Sequence, residues 1–391
     1  MKVLIVGAGI AGPTLAYWLR RSGHEPTLLE QAPKLREGGY LVDFWGSGFE
    51  VAERMGIVPR LLELGYRVRE VREVDDRGRR VAHFDPRHMM DDAAGRYVSI
   101  ARSDLAAAIY DALDGAVEAV FGDTVTALED DGERVRVEFA KAAPRDFDLV
   151  VGADGLHSRV RALGFGPESS FERYLGLTVA VFDVAGYRPR EELVAISNTR
   201  VGAQLLRMSL RADLTMFVFT FRHDGDVPAD DLPAQQDLLR RTLGDLGGEV
   251  PAILDHMPEA RTFYLDRASQ IRMPSWSRGR IALVGDAAAC PSLLAGQGSA
   301  LAMVEAYVLA AELARSDFPS AFADYERHLA PLVAKKQDAA VGLGVAFAPK
   351  NRLQLLLRNT IMGLMSFPPV ADLVMGRSLR DPITLPPAPM G

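Results

Sequence analysis

A run of closely spaced glycines near the start of the chain has the pattern of a dinucleotide-binding turn. Four apolar residues lead into Gly7-Ala8-Gly9-Ile10-Ala11-Gly12, and a second apolar run ends at Glu30. In such a turn the first glycine permits the tight bend, the second lets backbone N–H groups approach a pyrophosphate, and the third lets a helix pack closely on the sheet. The acid accepts hydrogen bonds from the adenosine ribose and repels a 2′-phosphate, so FAD or NAD is favoured over NADP at this site.

Two acidic turns later in the chain extend this prediction to a flavin. Asp154 follows the apolar run 149–152, and Asp286 follows the apolar run 281–284. A buried strand that ends at Asp286 places a carboxylate where it can accept a hydrogen bond from a ribityl hydroxyl. The turn Gly296-Gln297-Gly298 presents backbone N–H groups at the start of a helix, which suits the flavin O2/N1 edge, where reduction places negative charge.

The positions of these motifs predict an α/β fold with two interleaved domains. A Rossmann-like FAD-binding domain with the GxGxxG turn takes residues 1–70, 98–170 and 275–330. A β-sheet substrate-binding domain takes residues 71–97 and 171–274, and a C-terminal helical segment takes residues 331–391. The predicted elements are a helix over about 47–64, a hairpin over 68–84, a helix over 103–113, strands within 117–139, a helix near 234–246, a strand over 280–285 and long helices over most of 297–375.

The composition fits an intracellular enzyme. The chain has 391 residues, of which 48% are hydrophobic, and its net charge of −7 argues against nucleic acid as a partner. The single cysteine, Cys290, excludes an internal disulfide and fits a reducing compartment. No apolar stretch is long enough to span a bilayer, so we expect a cytoplasmic protein without a transmembrane segment. We expect a monomer or a homodimer.

The motifs at residues 7–30, 148–161 and 280–298 resemble those of the FAD-dependent aromatic hydroxylases, the p-hydroxybenzoate hydroxylase-like, single-component flavoprotein monooxygenases. They occur in the order and at the spacing of that family. The cofactor-binding residues that this resemblance implies are Gly7, Gly9, Ala11, Gly12, Glu30, Gln31, Arg36, Asp43, Arg102, Asp154, Asp286, Gly296 and Gly298.

The resemblance also implies a mechanism. NADPH or NADH reduces the FAD, and the reduced flavin reacts with O2 to give a C4a-hydroperoxide that transfers one oxygen atom to the substrate. The cofactor supplies this chemistry, while the protein positions the ring, excludes water and admits the substrate. No protein nucleophile and no metal is required. The choice between NADH and NADPH, and between hydroxylation and oxygen insertion beside a ketone, stays open.

One departure from the family bears on the substrate. Family members often have histidine after Gly-Asp-Ala-Ala, whereas this chain has Ala289-Cys290-Pro291, which predicts a more apolar pocket beside the flavin. The segment 38–48 resembles the tetracycline-inactivating and polyketide hydroxylase subgroup, which implies an aromatic or polyketide-like small molecule as substrate. Alternate residues of 214–221 must face opposite sides of a strand, so at most half of them can reach it. The candidate substrate-binding residues are Tyr40, Trp45, Arg200, Gln204, Met208, Phe217, Phe219 and Pro291.

Two other interpretations remain open. The apolar stretch 353–365 could lie on a membrane, as in a quinone- or isoprenoid-acting flavoenzyme, or could pack across both domains as a helix. A flavin-binding sensor without turnover is the other interpretation, and the complete glycine turns and acids argue against it. In the second motif, we expect His157 at the surface, and Arg159 and Arg161 either in surface ion pairs or bound to NAD(P)H.

Overall fold

The protein is described as a computed structural model over residues 1–36, 38, 40–86, 95–229, 231–365 and 383–389. The strands are β1 (Lys2–Val6), β2 (Glu25–Glu30), β3 (Leu41–Trp45), β4 (Glu70–Val74), β5 (Arg80–Phe84), β6 (Tyr97–Ala101), β7 (Glu118–Phe121), β8 (Val125–Asp130), β9 (Val135–Phe139), β10 (Arg145–Phe147), β11 (Leu149–Gly152), β12 (Glu172–Ala185), β13 (Val194–Arg200), β14 (Ala203–Ser209), β15 (Leu214–Phe221), β16 (Phe263–Ile271), β17 (Ser277–Arg278) and β18 (Ile281–Leu283).

The α-helices alternate with these strands and then fill the end of the described chain. They are α1 (Ala11–Arg21), α2 (Ser47–Met55), α3 (Val58–Leu64), α4 (Arg102–Asp111), α5 (Arg159–Gly164), α6 (Leu232–Leu243), α7 (Val250–His256), α8 (Asp286–Ala289), α9 (Gly298–Leu313), α10 (Phe318–Phe347) and α11 (Arg352–Leu364).

A six-stranded sheet, mostly parallel, carries the three predicted cofactor motifs. Its strand order is β17-β18-β11-β1-β2-β7, and β1 pairs in parallel with both β2 and β11. Strand β11 pairs in parallel with β18. These central strands are apolar runs buried on both faces, as a parallel sheet requires. Because their carboxyl ends lie at one edge, the turns that follow β1, β11 and β18 meet there.

The second large sheet has seven strands, of order β16-β12-β15-β14-β13-β4-β5. Side chains alternate between its two faces. One face buries Phe182, Phe217 and Phe219 against helices α6 and α7. The other face carries Val181, Met208 and Met216, and packs with Tyr40 and the segment 293–294 from the first domain. Only this second face lies next to the cofactor motifs.

The long helices connect the two large sheets. Helix α9 is buried on nearly every side, which fits its almost wholly apolar sequence. Helix α10 runs for 30 residues, from Phe318, which packs against the first core, to Phe347 beside the second sheet. It continues through residue 331, so the predicted boundary of the C-terminal segment falls inside a helix. Helix α11 packs on β5, and its Arg358 forms an ion pair of 2.9 Å with the buried Glu73.

The element predictions can be compared with this structure. The helix predicted over 47–64 is two helices, because the chain turns at Gly56, which has the left-handed φ of 76°. The hairpin over 68–84 is β4 and β5, and the long helices over 297–375 are α9, α10 and α11 as far as residue 364. Residues 366–375 of that prediction lie outside the described residues. No helix in the described part of the chain is long and apolar enough to cross a membrane.

Candidate functional site

The first glycine turn is packed so tightly that side chains cannot be added to it. A Cβ atom on Gly12 would lie 1.9 Å from the carbonyl oxygen of Gly7, and a Cβ on Gly7 would lie 2.4 Å from that of Ala153. Gly7 also has a φ of 110°, which L side chains rarely adopt. Each glycine therefore serves the role that its spacing predicts: a sharp bend at Gly7 and close packing of α1 at Gly12.

The Glu30 carboxylate lies at this turn, as the sequence predicts. It accepts hydrogen bonds of 2.9 Å from the backbone N–H of Ala8 and of Ala32. These bonds fix a negative charge at the end of β2, directly beside the bend after β1. Gln31 is exposed next to it, and Arg36 is exposed further along the same loop.

Arg102 approaches the turn from a different element. A Cβ on Gly9 would lie 3.8 Å from the Arg102 guanidinium, and the backbone N–H of Arg102 donates to the carbonyl of Tyr40. Burial disfavours the charge on Arg102, but the fields of Tyr40 and Asp286 outweigh it, so the pKa of the guanidinium lies above its usual value. The structure therefore brings together Gly9, Arg102 and Asp286, which the sequence separates widely.

The Asp286 turn and the start of α9 form the next part of the site. Gly285 has a φ of 66°, and its backbone N–H donates to the buried Glu305 carboxyl over 2.6 Å. A Cβ on Gly298 would lie 3.8 Å from the Asp286 carboxylate, which therefore lies at the N-terminus of α9. Gly296 precedes it in the left-handed region, with a φ of 66°. Ala11 packs against Gly285, since a Cβ atom on Gly285 would lie 3.2 Å from the Ala11 side chain.

Asp154 is held by contacts within its own segment, whereas Asp43 is held by a neighbouring strand. The Asp154 carboxylate accepts from the Ser158 hydroxyl (2.5 Å) and from the backbone N–H of Arg159 (2.7 Å) and Val160 (3.0 Å). Its side chain thus caps the start of α5, while its backbone packs on Gly7. Asp43 accepts from the hydroxyls of Tyr97 and Ser99 across the β3–β6 pair.

Arg161 lies neither in a surface ion pair nor in an exposed position that NAD(P)H could reach. Its side chain is fully buried, and it donates to the backbone carbonyls of Ala287 (3.0 Å) and Leu156 (2.6 Å) and to Glu168 (2.7 Å). It therefore ties the second motif to α8, directly after Asp286. Burial raises the cost of its charge and lowers the pKa of the guanidinium. The sequence pattern did not distinguish this role, because Ala287 lies 126 residues away.

His157 connects the two domains at the surface. Its ring nitrogens lie 2.9 Å from Glu168 and 3.0 Å from Asp266, which belongs to β16 of the second sheet. Hydrogen bonds to Asp266 first, and then to Glu168, raise the pKa of His157 to about 10. The exposed position predicted for it is therefore correct, but it also carries a charged contact between the domains.

Some of the predicted substrate residues lie together on the face of the second sheet that lies next to the cofactor motifs. This face, which carries Val181, Met208 and Met216, is the inner face, and the face packed against α6 and α7 is the outer face. Tyr40 packs with this face and contacts the ring of Tyr264 at 5.9 Å, and Met208 lies on it. Gln204 follows the same alternation along β14, and its amide donates to the Thr199 hydroxyl over 2.8 Å. Met216 lies on the same face and accepts a hydrogen bond from the backbone N–H of Leu41.

The remaining predicted substrate residues lie elsewhere. Phe217 and Phe219 are buried on the outer face against α6 and α7, because they alternate with Met216 along β15. Arg200 pairs across the strands with Ala203 and therefore points to the outer face, where it forms an ion pair of 2.5 Å with Asp76. The structure does not bring these three to the inner face. Trp45 lies on β3 beside the Tyr97 ring, at 6.3 Å.

Pro291 belongs to a buried segment that replaces the histidine expected from the family. Cys290 is buried next to it and donates its thiol to the carbonyl of Ser269, and burial holds the pKa of the thiol well above its usual value. Gln270 donates to the carbonyl of Pro291 over 3.2 Å, and Gln337 donates to that of Cys290 over 3.3 Å. Buried amides on β16 and α10 thus hold this segment, and no local pattern had marked them.

The described residues contain no group of three or more His, Cys, Asp or Glu side chains arranged to hold a metal ion. The acids of the site instead lie singly, each at the end of a parallel strand. Single carboxylates suit hydroxyl groups, and the backbone N–H groups of the glycine turn at the start of α1 suit a pyrophosphate.

Comparisons with known proteins show the family of this chain. Residues 1–317, which include all three turns, match the family model of an FAD binding domain. A flavin-dependent monooxygenase of Legionella longbeachae is 32% identical over 398 residues, which cover 99% of this chain and 98% of that protein. An uncharacterized protein of Mycobacterium tuberculosis is 38% identical over 346 residues, which cover 86% of this chain and 92% of that protein.

Among solved structures, the crystal structure of the tetracycline destructase Tet(55) is similar to this chain over its whole length. The TM-score is 0.84, the sequence identity is 31%, and the match covers 98% of each chain. The similarity thus includes both sheets and the long helices, not only the first domain.

Proposed function

This chain belongs to the FAD-binding domain family and is an FAD-dependent monooxygenase, and from that premise we propose that it uses NAD(P)H and O2 to hydroxylate an aromatic or polyketide-like small molecule. One observation carries the proposal. The turns after β1, β11 and β18 lie at one edge of the parallel sheet and face the apolar inner side of the second sheet. A flavin held at that edge faces an apolar wall on which a largely apolar substrate can bind.

The residues at this edge fit FAD. Glu30 is fixed beside the glycine turn, where an adenosine ribose binds, and Gly9 leaves its backbone accessible beside Arg102 for the pyrophosphate. Asp286 and the start of α9 supply a carboxylate for the ribityl chain and backbone N–H groups for the ring edge. FAD held by these residues would supply hydride acceptance and O2 activation, as the family resemblance implies.

The inner face of the second sheet supports an apolar, multi-ring substrate. Met208 and Met216 provide flexible thioether side chains that adapt to irregular ligands. Gln204 is a polar group of this face, and its hydrogen bond to Thr199 fixes its orientation. Since one similar structure is a tetracycline destructase, tetracyclines are the first polyketides to test.

The loop after Glu30 supports a binding site for NAD(P)H. Lys34 and Arg36 line a cavity of about 490 Å³, together with Ser103 and Tyr110 of α4. Two cations beside an aromatic ring suit the phosphates and the adenine of a dinucleotide. We propose that the cosubstrate docks here, beside the FAD.

The test is oxidation of NADH and NADPH by the purified FAD-loaded protein, with and without phenols, polyketides and tetracyclines. We expect one compound to stimulate oxidation and to gain the mass of one oxygen atom. Arg36→Ala should raise the KM for the nucleotide, whereas Arg327→Ala, on an exposed stretch of α10, should leave it unchanged. Full FAD occupancy with no stimulated oxidation by any compound would argue against this function.

A further inference from the structure

Lys336 is a buried cation in contact with the glycine turn at the start of α9. Its side chain lies on α10 and is 9% exposed, and its Nζ donates a hydrogen bond to Oε1 of Gln297. Gln297 is itself 8% exposed and lies between Gly296 and Gly298, 39 residues before Lys336 in the chain. Burial of an ammonium group is costly unless it is hydrogen-bonded, and the bond to Gln297 offsets part of this cost.

The residue after Lys336 holds the other segment at the same site. Gln337 donates to the carbonyl of Cys290 over 3.3 Å and to that of Ile271 over 2.8 Å. Neighbouring residues of α10 thus fix both the segment after α8 and the turn before α9. Lys335, by contrast, is exposed on the same helix.

A positive charge at this turn has a specific electrostatic consequence. Lys336 binds the carbonyl end of the Gln297 amide, and Gln297 is the N-cap residue of α9. The N-terminus of a helix carries about half a positive charge, and an ammonium group behind it adds to the positive potential. In a dry interior this potential acts strongly on a nearby charge that changes during a reaction.

We propose that Lys336 is a positioning residue that acts through Gln297 to raise the reduction potential of the bound FAD. This inference rests on the proposed assignment of the turn 296–298 to the N1/O2 edge of the flavin. Two electrons and one proton convert FAD to its anionic reduced form, and the added negative charge resides at that edge. A cation behind the turn stabilises the reduced form more than the oxidised form, so it favours hydride transfer from NAD(P)H.

The test is the midpoint potential of protein-bound FAD, measured by anaerobic reduction against a reference dye, without substrate or NAD(P)H. Lys336→Met removes the charge and the hydrogen bond, and we expect it to decrease the equilibrium constant for reduction about tenfold, or about 30 mV for a two-electron couple. Lys336→Gln keeps an N–H donor without the charge, and we expect the same decrease. Lys336→Arg keeps the positive charge and should have nearly the wild-type potential, and Lys335→Met should not change the potential.

Two results would overturn the inference. One is a wild-type potential in Lys336→Gln, because the charge would then have no effect. The other is equal weakening of oxidised and reduced FAD binding in every Lys336 variant, which indicates a purely structural role and leaves the potential unchanged. Because the measurement needs no turnover, it separates this inference from the proposed reaction: the potential can shift in a protein that oxidises no NAD(P)H.

Discussion

The carboxyl group of Glu305, buried within α9, accepts a hydrogen bond of 2.6 Å from the backbone N–H of Gly285. The Tyr325 hydroxyl of α10 lies 3.4 Å from the same oxygen. Gly285 directly precedes Asp286, so this hydrogen bond holds the turn that places Asp286 at the edge of the parallel sheet where the cofactor motifs meet. A buried side chain two helical turns into α9 therefore sets the position of an acid that follows β18.

Glu305→Gln should increase stability at alkaline pH. Burial first, and then the field of Asp286, raise the pKa of Glu305 from 4.5 to about 8. The folded protein therefore binds a proton more tightly than the unfolded chain, and ionisation destabilises the fold progressively as the pH rises from 4.5 to about 8, by about 5 kcal/mol at most. Gln keeps the acceptor oxygen and cannot ionise.

The measurement is the free energy of unfolding of both proteins between pH 5 and pH 9. The free energy of unfolding of the variant should increase relative to that of the wild type across this range, and the difference should level off above pH 8. Glu63→Gln, on the exposed surface of α3, serves as the control and should show no such trend. A gain that is independent of pH would contradict the prediction.

His157→Gln should decrease stability most at acidic and neutral pH. The contacts with Asp266 and Glu168 raise the pKa of His157 to about 10, so its charged form stabilises the fold. This contribution is complete below the unfolded pKa of 6.5, diminishes above it, and is lost as the pH rises through about 10. Because the side chain is 63% exposed, we expect a loss within about 1 kcal/mol.

Thermal unfolding at pH 6 and pH 10 tests this contribution. The difference between the wild type and His157→Gln should be present at pH 6 and nearly absent at pH 10. His256→Gln removes a more weakly paired surface histidine, 3.6 Å from Glu259, and provides the matched comparison. Equal differences at the two pH values would show that the effect is not due to the histidine charge.

Gly12→Ala should abolish FAD binding. The added methyl group would lie 1.9 Å from the Gly7 carbonyl oxygen, so the turn and α1 must move apart. Gly342→Ala adds the same group to α10 where no atom lies within 4 Å, and should be neutral or stabilise the helix by about 0.5–1 kcal/mol. FAD content after purification distinguishes the two variants. Stoichiometric FAD in Gly12→Ala would mean that the turn does not require close packing.

Met208 and Phe217 should respond differently to replacement by leucine. Met208 lies on the inner face, so Met208→Leu should change the KM of the organic substrate several-fold and leave stability nearly unchanged. Phe217 lies in the outer core, so Phe217→Leu should destabilise the protein by about 1–2 kcal/mol and leave the KM unchanged. Steady-state kinetics and denaturant unfolding measure the two effects. A KM change in Phe217→Leu alone would assign the substrate to the other face.

Local chemistry in the sequence was sufficient to predict the cofactor turns. Gly7 needs a positive φ, which is a property of its own backbone, and Gly12 allows no Cβ because the carbonyl of Gly7, five residues earlier, is too close. Glu30 follows because a parallel strand pair fixes its distance from the turn. The α/β fold, the FAD-dependent monooxygenase family and the FAD cofactor could therefore be predicted from these motifs, and the similar proteins confirm them.

The tertiary structure determined which face of the second sheet is left for the substrate and which side chains are hydrogen-bonded to each other. Alternation along β15 shows that Met216 and Phe217 point in opposite directions, but only the packing of α6 and α7 determines which face remains for the substrate. Whether Lys336 is a solvated charge or a buried donor depends on Gln297, which a separate helix brings to it. The sequence by itself determined the turns, because backbone sterics act locally. Burial and electrostatic pairing needed the fold, because they depend on atoms that are distant in the chain.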